Sequence, residues 1–504
     1  MEKIDKRQAM LIVASVLAAV LLVLGVIFLV GAPNGHPIGT TVGGTEPQVP
    51  ATTPSETTAP ETSAPETSAP ETTAPETTAP ETTAPETTAP ETTAPETTSP
   101  ETTPPVTDPV QTPPENEPYQ PINYKDVKAM WISQYDLYGV YTKSKKQRSE
   151  SEFRSMMSVI LDNAKKDGFN TVIVQVRPYA DSMYPSEYYP MSRFVVGAYG
   201  REASYDPFAI TLSFAHERGL SVHAWINPMR GMLESEVKSV SDKYAVKKWY
   251  SDKSTNGKQV VVVSDRLYFN TAYAEVRELI VNGAREILQK YNVDGLHMDD
   301  YFYPTQSASF DKSAYAEYTA GGGEKSLADF RREQLNALVS ALYAMVKQEN
   351  EGLMFGISPA GIINNVYNKQ YADVYTWCSE EGYIDYICPQ IYFGLEHENY
   401  DFIKVCNVWR DIIKTDSVKL IIGMTLEKAD TGTDAYAGSG KDEWKKSTDI
   451  LLRCLNYTET LEHCTGVSYF SYQFFYGPTN GVADKDTQAE RDNFIPKLKE
   501  ISWS

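Results

Sequence analysis

SESEFRSMMSVILDNAKKDGFNTVIVQVR, residues 149–177, carries two periodicities back to back. Phe153, Met156, Met157, Ile160, Leu161 and Ala164 recur at i, i+3, i+4, i+7, i+8 and i+11, the spacing of one apolar face of an α-helix. Ser149 with Glu152 makes a capping box at its start, and Gly168 stands past its end, where a left-handed residue closes a helix. TVIVQVR, residues 171–177, then reads as a buried strand, short and rich in β-branched residues. A helix that feeds directly into a buried strand is the repeating unit of an α/β fold.

Outward from this unit the alternation continues. Further strands are predicted at 128–133 (KAMWIS), 221–227 (SVHAWIN), 295–299 (GLHMD), 353–358 (LMFGIS), 386–392 (YICPQIY), 419–424 (KLIIGM) and 466–472 (GVSYFSY). Helical periodicity lies between them, in Val276, Leu279, Ile280, Ile287 and Leu288, and again in Leu335, Leu338, Val339, Leu342 and Met345. Eight βα units predict an α/β (β/α)₈ TIM barrel with loop insertions over residues 119–504. The alternative, a doubly wound sheet, does not need eight units. The largest insertion is 229–270, within which 259–263 reads as an extra strand.

The rest of the chain decides the compartment. Residues 10–30, MLIVASVLAAVLLVLGVIFLV, are apolar except for Ser15. At about 1.5 Å rise per residue they are long enough to span the roughly 30 Å hydrocarbon core. Lys3, Lys6 and Arg7 precede this stretch, so residues 1–8 are expected in the cytoplasm and everything after the span outside. Segment 9–32 is read as a transmembrane anchor, with a cleaved signal peptide as the rival; both export the chain, and the anchor makes it a single-pass cell-membrane protein. Residues 33–118 repeat P-E-T-T/S-A/S and lack any large apolar cluster, which predicts a disordered, partly extended Pro/Thr/Glu-rich linker. The formal net charge of −21 is concentrated there, since 33–118 hold thirteen Glu and one Asp without a Lys or Arg. Nucleic acid is excluded as a partner because phosphate contacts need clustered Lys and Arg.

In a barrel of this kind chemistry sits at the C-terminal ends of the strands. Polar and aromatic residues collect there: Arg177 and Asp181 after the second strand, Trp225, Asn227 and Arg230 after the third, and His297, Asp299, Asp300 and Tyr301 after the fourth. Gln390 and Tyr392 follow from the sixth strand and Tyr472 from the eighth. Amide, guanidinium and aromatic groups on an apolar wall suit a carbohydrate cleft. Strand alternation points His297, Asp299 and Tyr301 into the mouth, so Asp299 is the first candidate catalytic carboxylate; Asp300 joins it only if the strand has already turned. Asp181 is a third candidate. Two carboxyl groups about a bond are what glycoside hydrolysis requires, and adjacent acids also allow one to orient a substrate 2-acetamido group while the other protonates the leaving oxygen. Packed together, one of them has its pKa raised.

Several long blocks resemble the glycosyl hydrolase-like 10 family: VKAMWISQYDL (127–137), GFNTVIVQVRPYADSMYPSEYYPMSRF (168–194), YDPFAITLSFAHERGLSVHAWINPMR (205–230), YNVDGLHMDDYFYP (291–304), MFGISPAG (354–361) and IDYICPQIYF (384–393). The family's H-x-D-D-Y-F-Y pattern matches His297 through Tyr303, Q-V-R-P-x-x-D matches Gln175 through Asp181, W-I-N-P-x-R matches Trp225 through Arg230 and P-Q-I-Y matches Pro389 through Tyr392. The resemblance implies a (β/α)₈ barrel related to glycosidases. It also implies a polysaccharide substrate, since members include bacterial envelope proteins that cleave peptidoglycan glycan strands stripped of their stem peptides. A non-catalytic glycan-binding barrel and a surface protein displaying a partner-binding face are the alternatives from other classes. Retention of both acids beside aromatic and amide residues favours the enzyme.

No metal or cofactor is expected: His223 and His297 can meet inside the barrel, but no third His or i, i+4 His pair accompanies them. G-x-S-x-G and Walker A sequences are missing. The five cysteines, Cys378, Cys388, Cys406, Cys454 and Cys464, are odd in number and contain no C-x-x-C, which gives no support to a zinc ribbon or redox motif. Of the tyrosines at loop starts, Tyr135, Tyr179, Tyr184, Tyr188, Tyr189, Tyr301, Tyr303 and Tyr392, two or three are expected to touch ligand and the rest to pack.

Overall fold

The computed structural model describes residues 119–477 and 485–503. The expected cytoplasmic end, membrane anchor or signal peptide, and linker (residues 1–118) lie outside the described residues. Among the described residues no helix is long and apolar enough to cross a membrane.

The opening helix–strand unit forms as its spacing dictates. The helix α1 (Glu150–Lys166) buries Phe153, Met157, Ile160, Leu161 and Ala164, and the capping box of Ser149 and Glu152 closes its first turn. Gly168 follows at φ +92°, a conformation a side chain would strain. Each large side chain of that stripe, Phe153, Met157, Ile160 and Leu161, contributes about 1.5–3 kcal/mol, and it is this face, with the strand it covers, that repeats around the molecule.

Eight parallel strands close into a barrel: β1 (Val127–Ile132), β2 (Thr171–Arg177), β3 (Ser221–Ile226), β4 (Gly295–Met298), β5 (Met354–Ile357), β6 (Tyr386–Ile387), β7 (Lys419–Thr425) and β8 (Cys464–Phe470). Each strand pairs with its sequence neighbours, and β8 closes on β1 through Val127↔Gly466. The outer layer comprises α1, α2 (Pro207–Glu217), α3 (Ala274–Lys290), α4 (Leu327–Glu349), α5 (Val374–Ser379), α6 (Phe402–Ile412), α7 (Ile450–Thr458) and α8 (Lys485–Glu500). The predicted barrel is therefore present, and the doubly wound alternative is not. The insertion after β3 folds as a three-stranded antiparallel sheet of Arg230–Leu233, Val260–Val263 and Arg266–Phe269.

The sixth strand is shorter than expected, two residues rather than seven. Pro389 has no N–H to give, and beyond Ile387 the pairing continues only as isolated bridges of Gln390, to Ala360 on one side and Gly423 on the other.

The core has two parts. The larger lies between the strands and the helices; the smaller fills the barrel interior with Ala129, Trp131, Ile173, Trp225, Tyr386, Cys388 and Ile421. Gly356 makes the interior possible. A Cβ there would lie 2.0 Å from Cζ of Tyr386, so only glycine lets that ring cross the barrel. The Tyr386 hydroxyl then meets Nδ1 of both His223 and His297 at 2.8 Å. The two histidines do meet, through a phenol, and burial pushes both imidazoles down, which keeps them neutral. All five cysteines are buried and free.

Candidate functional site at the C-terminal mouth of the barrel

The strand β4 ends at Met298, so Asp299 and Asp300 are already in the loop. That is the condition under which both acids can face the mouth, and both do, at different depths. Asp299 forms the floor and is 1% exposed. Asp300 is part-exposed and accepts a hydrogen bond from the side chain of Gln390, beyond β6. Asp299 is the inward carboxylate that alternation predicts, but the turn after β4 seats it beneath the surface and leaves its neighbour as the accessible acid.

Asp299 is held by a chain of amides drawn from three strand ends. The backbone N–H of Gln134 donates to Oε1 of Gln175 at 2.9 Å, which leaves Nε2 of Gln175 to donate to Oδ1 of Asn227 at 2.8 Å. Nδ2 of Asn227 then donates to Oδ2 of Asp299 at 2.6 Å. Because a backbone N–H can only donate, it fixes the direction of both amides and delivers a donor to the carboxylate. A longer bond of 3.3 Å from Tyr301 N–H reaches Oδ1. Burial, and then the neighbouring charge of Asp300, hold the Asp299 carboxyl well above the usual carboxylate range, against the pull of Tyr301 N–H, Arg230 and Asn227. Burial also raises Asp300. The charge on Asp300 opposes ionisation of Asp299, so the second proton of the pair leaves at a higher pH than that of an isolated aspartate.

Around the acids stand Arg230, whose guanidinium lies 4.0 Å from the Tyr301 ring centroid and 4.7 Å from that of Tyr179, and Tyr392, whose ring stacks on Phe470 with centroids 6.1 Å apart. Tyr135 and Tyr301 are 50% and 39% exposed. Burial nevertheless pushes up the Tyr135 hydroxyl, to about 12, and against the lowering pull of the Arg230 charge, burial and the charges of Asp300 and Asp299 raise that of Tyr301. Groups that water reaches but protein surrounds are groups standing in a cleft.

Sequence reasoning missed one acid with this signature. Glu427 lies two residues beyond β7, is exposed, and has its carboxyl raised by the protein packed round it. The Tyr392 hydroxyl, raised first by burial, also feels the charges of Asp300, Glu427 and Asp299. The available signal was position alone, a Thr425-Leu426-Glu427 sequence at a strand's C-terminal end. Gln134 and Gln175 were also missed as orienting residues, because their role depends on contacts between strands.

Five expected site residues lie elsewhere. Arg177 is buried against the Tyr189 ring, 4.5 Å from its centroid, on the α3 side of the sheet. Alternation from Gln175 would bring it inside, but Arg177 pairs with Ile226 after a bulge that skips Val176, and the extra residue reverses its side. Asp181 is fully buried and pins its own loop, accepting from Tyr179 N–H at 2.8 Å and the Tyr199 hydroxyl at 2.9 Å. Tyr472 begins a short helix after β8 and accepts from Nδ2 of Asn163 on α1 at 2.8 Å, outside the barrel. Trp225 and His297 point inward as expected but lie below the acids, each with its ring centroid 4.6 Å from that of Trp131. Of the remainder, Asp299, Asp300, Asn227, Arg230, Tyr301, Gln390 and Tyr392 gather at the mouth. Among the described residues no group of three or more His, Cys, Asp or Glu is arranged to hold a metal ion.

The sequence matches the model of the family described as Glycosyl hydrolase-like 10 over residues 126–436. The chain is 32% identical to Glycosyl hydrolase YngK of Bacillus subtilis (strain 168) over 378 residues, covering 71% of each protein. It is 30% identical to Glycosyl hydrolase DigH of Escherichia coli (strain K12) over 321 residues, 58% of this chain and 70% of that one. Among solved structures, the PgaB (BpsB) glycoside hydrolase domain from Bordetella bronchiseptica aligns with a TM-score of 0.47 at 13% identity, over 73% of this chain and 98% of that domain. The protein thus belongs to the glycosyl hydrolase-like 10 family and is a glycoside hydrolase.

Proposed function

We propose that the protein is held at the outer face of the cell membrane by residues 9–32 and cleaves glycosidic bonds in cell-wall glycan, the strands of peptidoglycan. The chemical half of this reading rests on one observation, the adjacent acids Asp299 and Asp300 past the end of β4, the lower bonded to Asn227 and the upper open to the mouth, with burial raising both carboxyls. Asp300 presents the proton to the leaving glycosidic oxygen. Asp299 lies beneath it, is raised further by burial and by the charge of Asp300, and is the carboxyl on which that proton rests between turnovers before it passes up to Asp300. Glu427, three strands round the mouth, supplies the second carboxyl, and its separation from Asp300 in a substrate complex sets retention or inversion. Tyr301, Tyr392 and Phe470 offer faces on which sugar rings can stack.

The location and substrate rest on the apolar stretch at 10–30, the Pro/Thr/Glu-rich linker and the blocks shared with envelope proteins. The test is to incubate the full-length protein with intact sacculi and with sacculi stripped of stem peptides, and to assay soluble glycan fragments. Release from wild type and none from Asp300→Asn is expected. Binding to sacculi without release from either would overturn the peptidoglycan reading, as would turnover only on an unrelated polysaccharide. Membrane fractionation of the native protein checks the anchor.

A further inference from the structure

Most guanidiniums in the described residues meet a carboxylate, as Arg331 does with Asp311 at 2.6 Å, Arg193 with Glu236 at 2.8 Å and Arg491 with Asp167 at 3.0 Å. Two at the mouth do not. Arg230 and Arg266 form no ion pair among the described residues, although the chain is rich in acids. Both lie against the same ring: Arg230 is 4.7 Å and Arg266 4.6 Å from the centroid of Tyr179. Arg230 also covers Tyr301 at 4.0 Å, immediately after the acid pair, and its Nε is buried with no hydrogen-bond partner. Arg266 spends Nη1 on the carbonyl of Gly231 at 2.7 Å, which ties the two arginines to adjacent strands of the inserted sheet. Both residues are part-exposed, so a ligand can reach them.

An Arg stacked on aromatic rings has its planar fork oriented in advance; Arg230 feels the charges of Asp299 and Asp300 but makes no direct ion pair with either, and its buried Nε is left without an acceptor. The fork matches a carboxylate through two parallel hydrogen bonds. An anionic group arriving near Asp299 and Asp300 would otherwise be repelled. We infer that Arg230 and Arg266, set on the Tyr179 and Tyr301 rings, form an anion-binding subsite beside the acid pair, and that it takes a carboxylate carried on a sugar ring. Resting on the proposed substrate, this carboxylate is that of the lactyl ether on muramyl residues, free only where the stem peptide has been removed. The subsite therefore selects stripped strands over those still carrying peptide amides.

The experiment compares the full-length protein on stripped glycan strands with free lactyl carboxylates and on the same strands with those carboxylates amidated, a neutral group of nearly the same size. Wild type is expected to show at least tenfold higher kcat/KM on the acidic strands. Arg230→Gln and Arg266→Gln should each shrink that ratio, and Arg230→Lys should retain part of it by keeping the charge. Equal turnover on the two substrates, or a ratio that survives both Gln variants, overturns the subsite. Should neither strand be cleaved by wild type, the glycan-strand reading fails by itself, and the subsite is then judged by direct titration. N-acetylmuramic acid should bind at least tenfold more tightly than N-acetylglucosamine and lose that advantage in Arg230→Gln; equal binding refutes it.

Discussion

Two aspartates bracket β4, one at each end, and both are buried, yet their chemistry is opposite. Asp294, before the strand, accepts from the Tyr119 hydroxyl, Ile122 N–H and Val222 N–H, each at 2.6 Å, and from Nε2 of His216 at 2.9 Å. Burial pushes its carboxyl up, but these donors, His216 foremost, more than offset that and leave it below the usual range. Asp299, after the strand, has one short side-chain donor and a carboxylate neighbour, and is held well above that range. Depth alone does not distinguish a structural acid from a reactive one. The number of donors does: Asp294 clamps residues 119–122 onto the N-terminal end of the barrel, while Asp299 is left under-satisfied at the end where substrate enters.

This contrast is broken most directly at the acid pair. Asp300→Asn, and Asp299→Asn beside it, should lower kcat by roughly 10³-fold, within the range for loss of a positioned acid, measured as glycan release. The same Asp299→Asn should leave the protein as stable as wild type or more so at neutral pH. A large loss of stability with catalysis intact would place Asp299 with Asp294.

Next in size, Asp294→Asn should cost about 2–4 kcal/mol of stability, the scale of a buried hydrogen-bonded charge losing its complement, read by urea unfolding. Its kcat should be unchanged. The pH dependence sharpens the sign. A depressed folded pKa means Asp294 stabilises above the unfolded value of about 3.9, and the contribution fades as pH falls through the folded pKa. A raised folded pKa means Asp299 opposes folding once pH exceeds its folded value, and that cost vanishes below about 3.9. Wild type minus variant should therefore rise with pH for Asp294→Asn and fall for Asp299→Asn; slopes of the same sign would remove the distinction.

Asn227→Ala withdraws the donor that favours ionised Asp299, so the pKa of the pair should rise further. About a tenfold fall in kcat is expected, at the low end of acid–base effects, together with an alkaline limb of the kcat profile moved to higher pH. An unmoved limb would mean the amide chain positions nothing. The smallest effect is predicted for Asp181→Asn, where KM should stay at the wild-type value, since this acid serves its own loop and not the mouth.

How much was legible follows from which interactions are local. The strand β2 was bounded correctly at Thr171–Arg177, and the helix before it, because period, capping box and glycine all lie within one short segment. Most mouth residues were recognised because barrel topology assigns them to strand ends. Arg177 was misassigned because its place at a strand end was taken to bring it to the mouth, while a bulge against the neighbouring strand β3 turns it to the other side of the sheet. The sixth strand was overextended for the converse reason, an apolar run being read through Pro389.

The sequence alone determined the βα repeat, the barrel, the acid pair and an apolar N-terminal stretch, since each is written in residue order and period. Only the tertiary structure decided which acid is accessible, that the carboxyls of Asp294 and Asp299 are displaced in opposite directions from the usual range, that Glu427 stands in the cleft, and that two arginines without an ion pair lie on one tyrosine. The physical reason is that hydrogen-bond donors, desolvation and neighbouring charge reach these groups from strands and loops far apart in the chain, and no local pattern records how many will arrive.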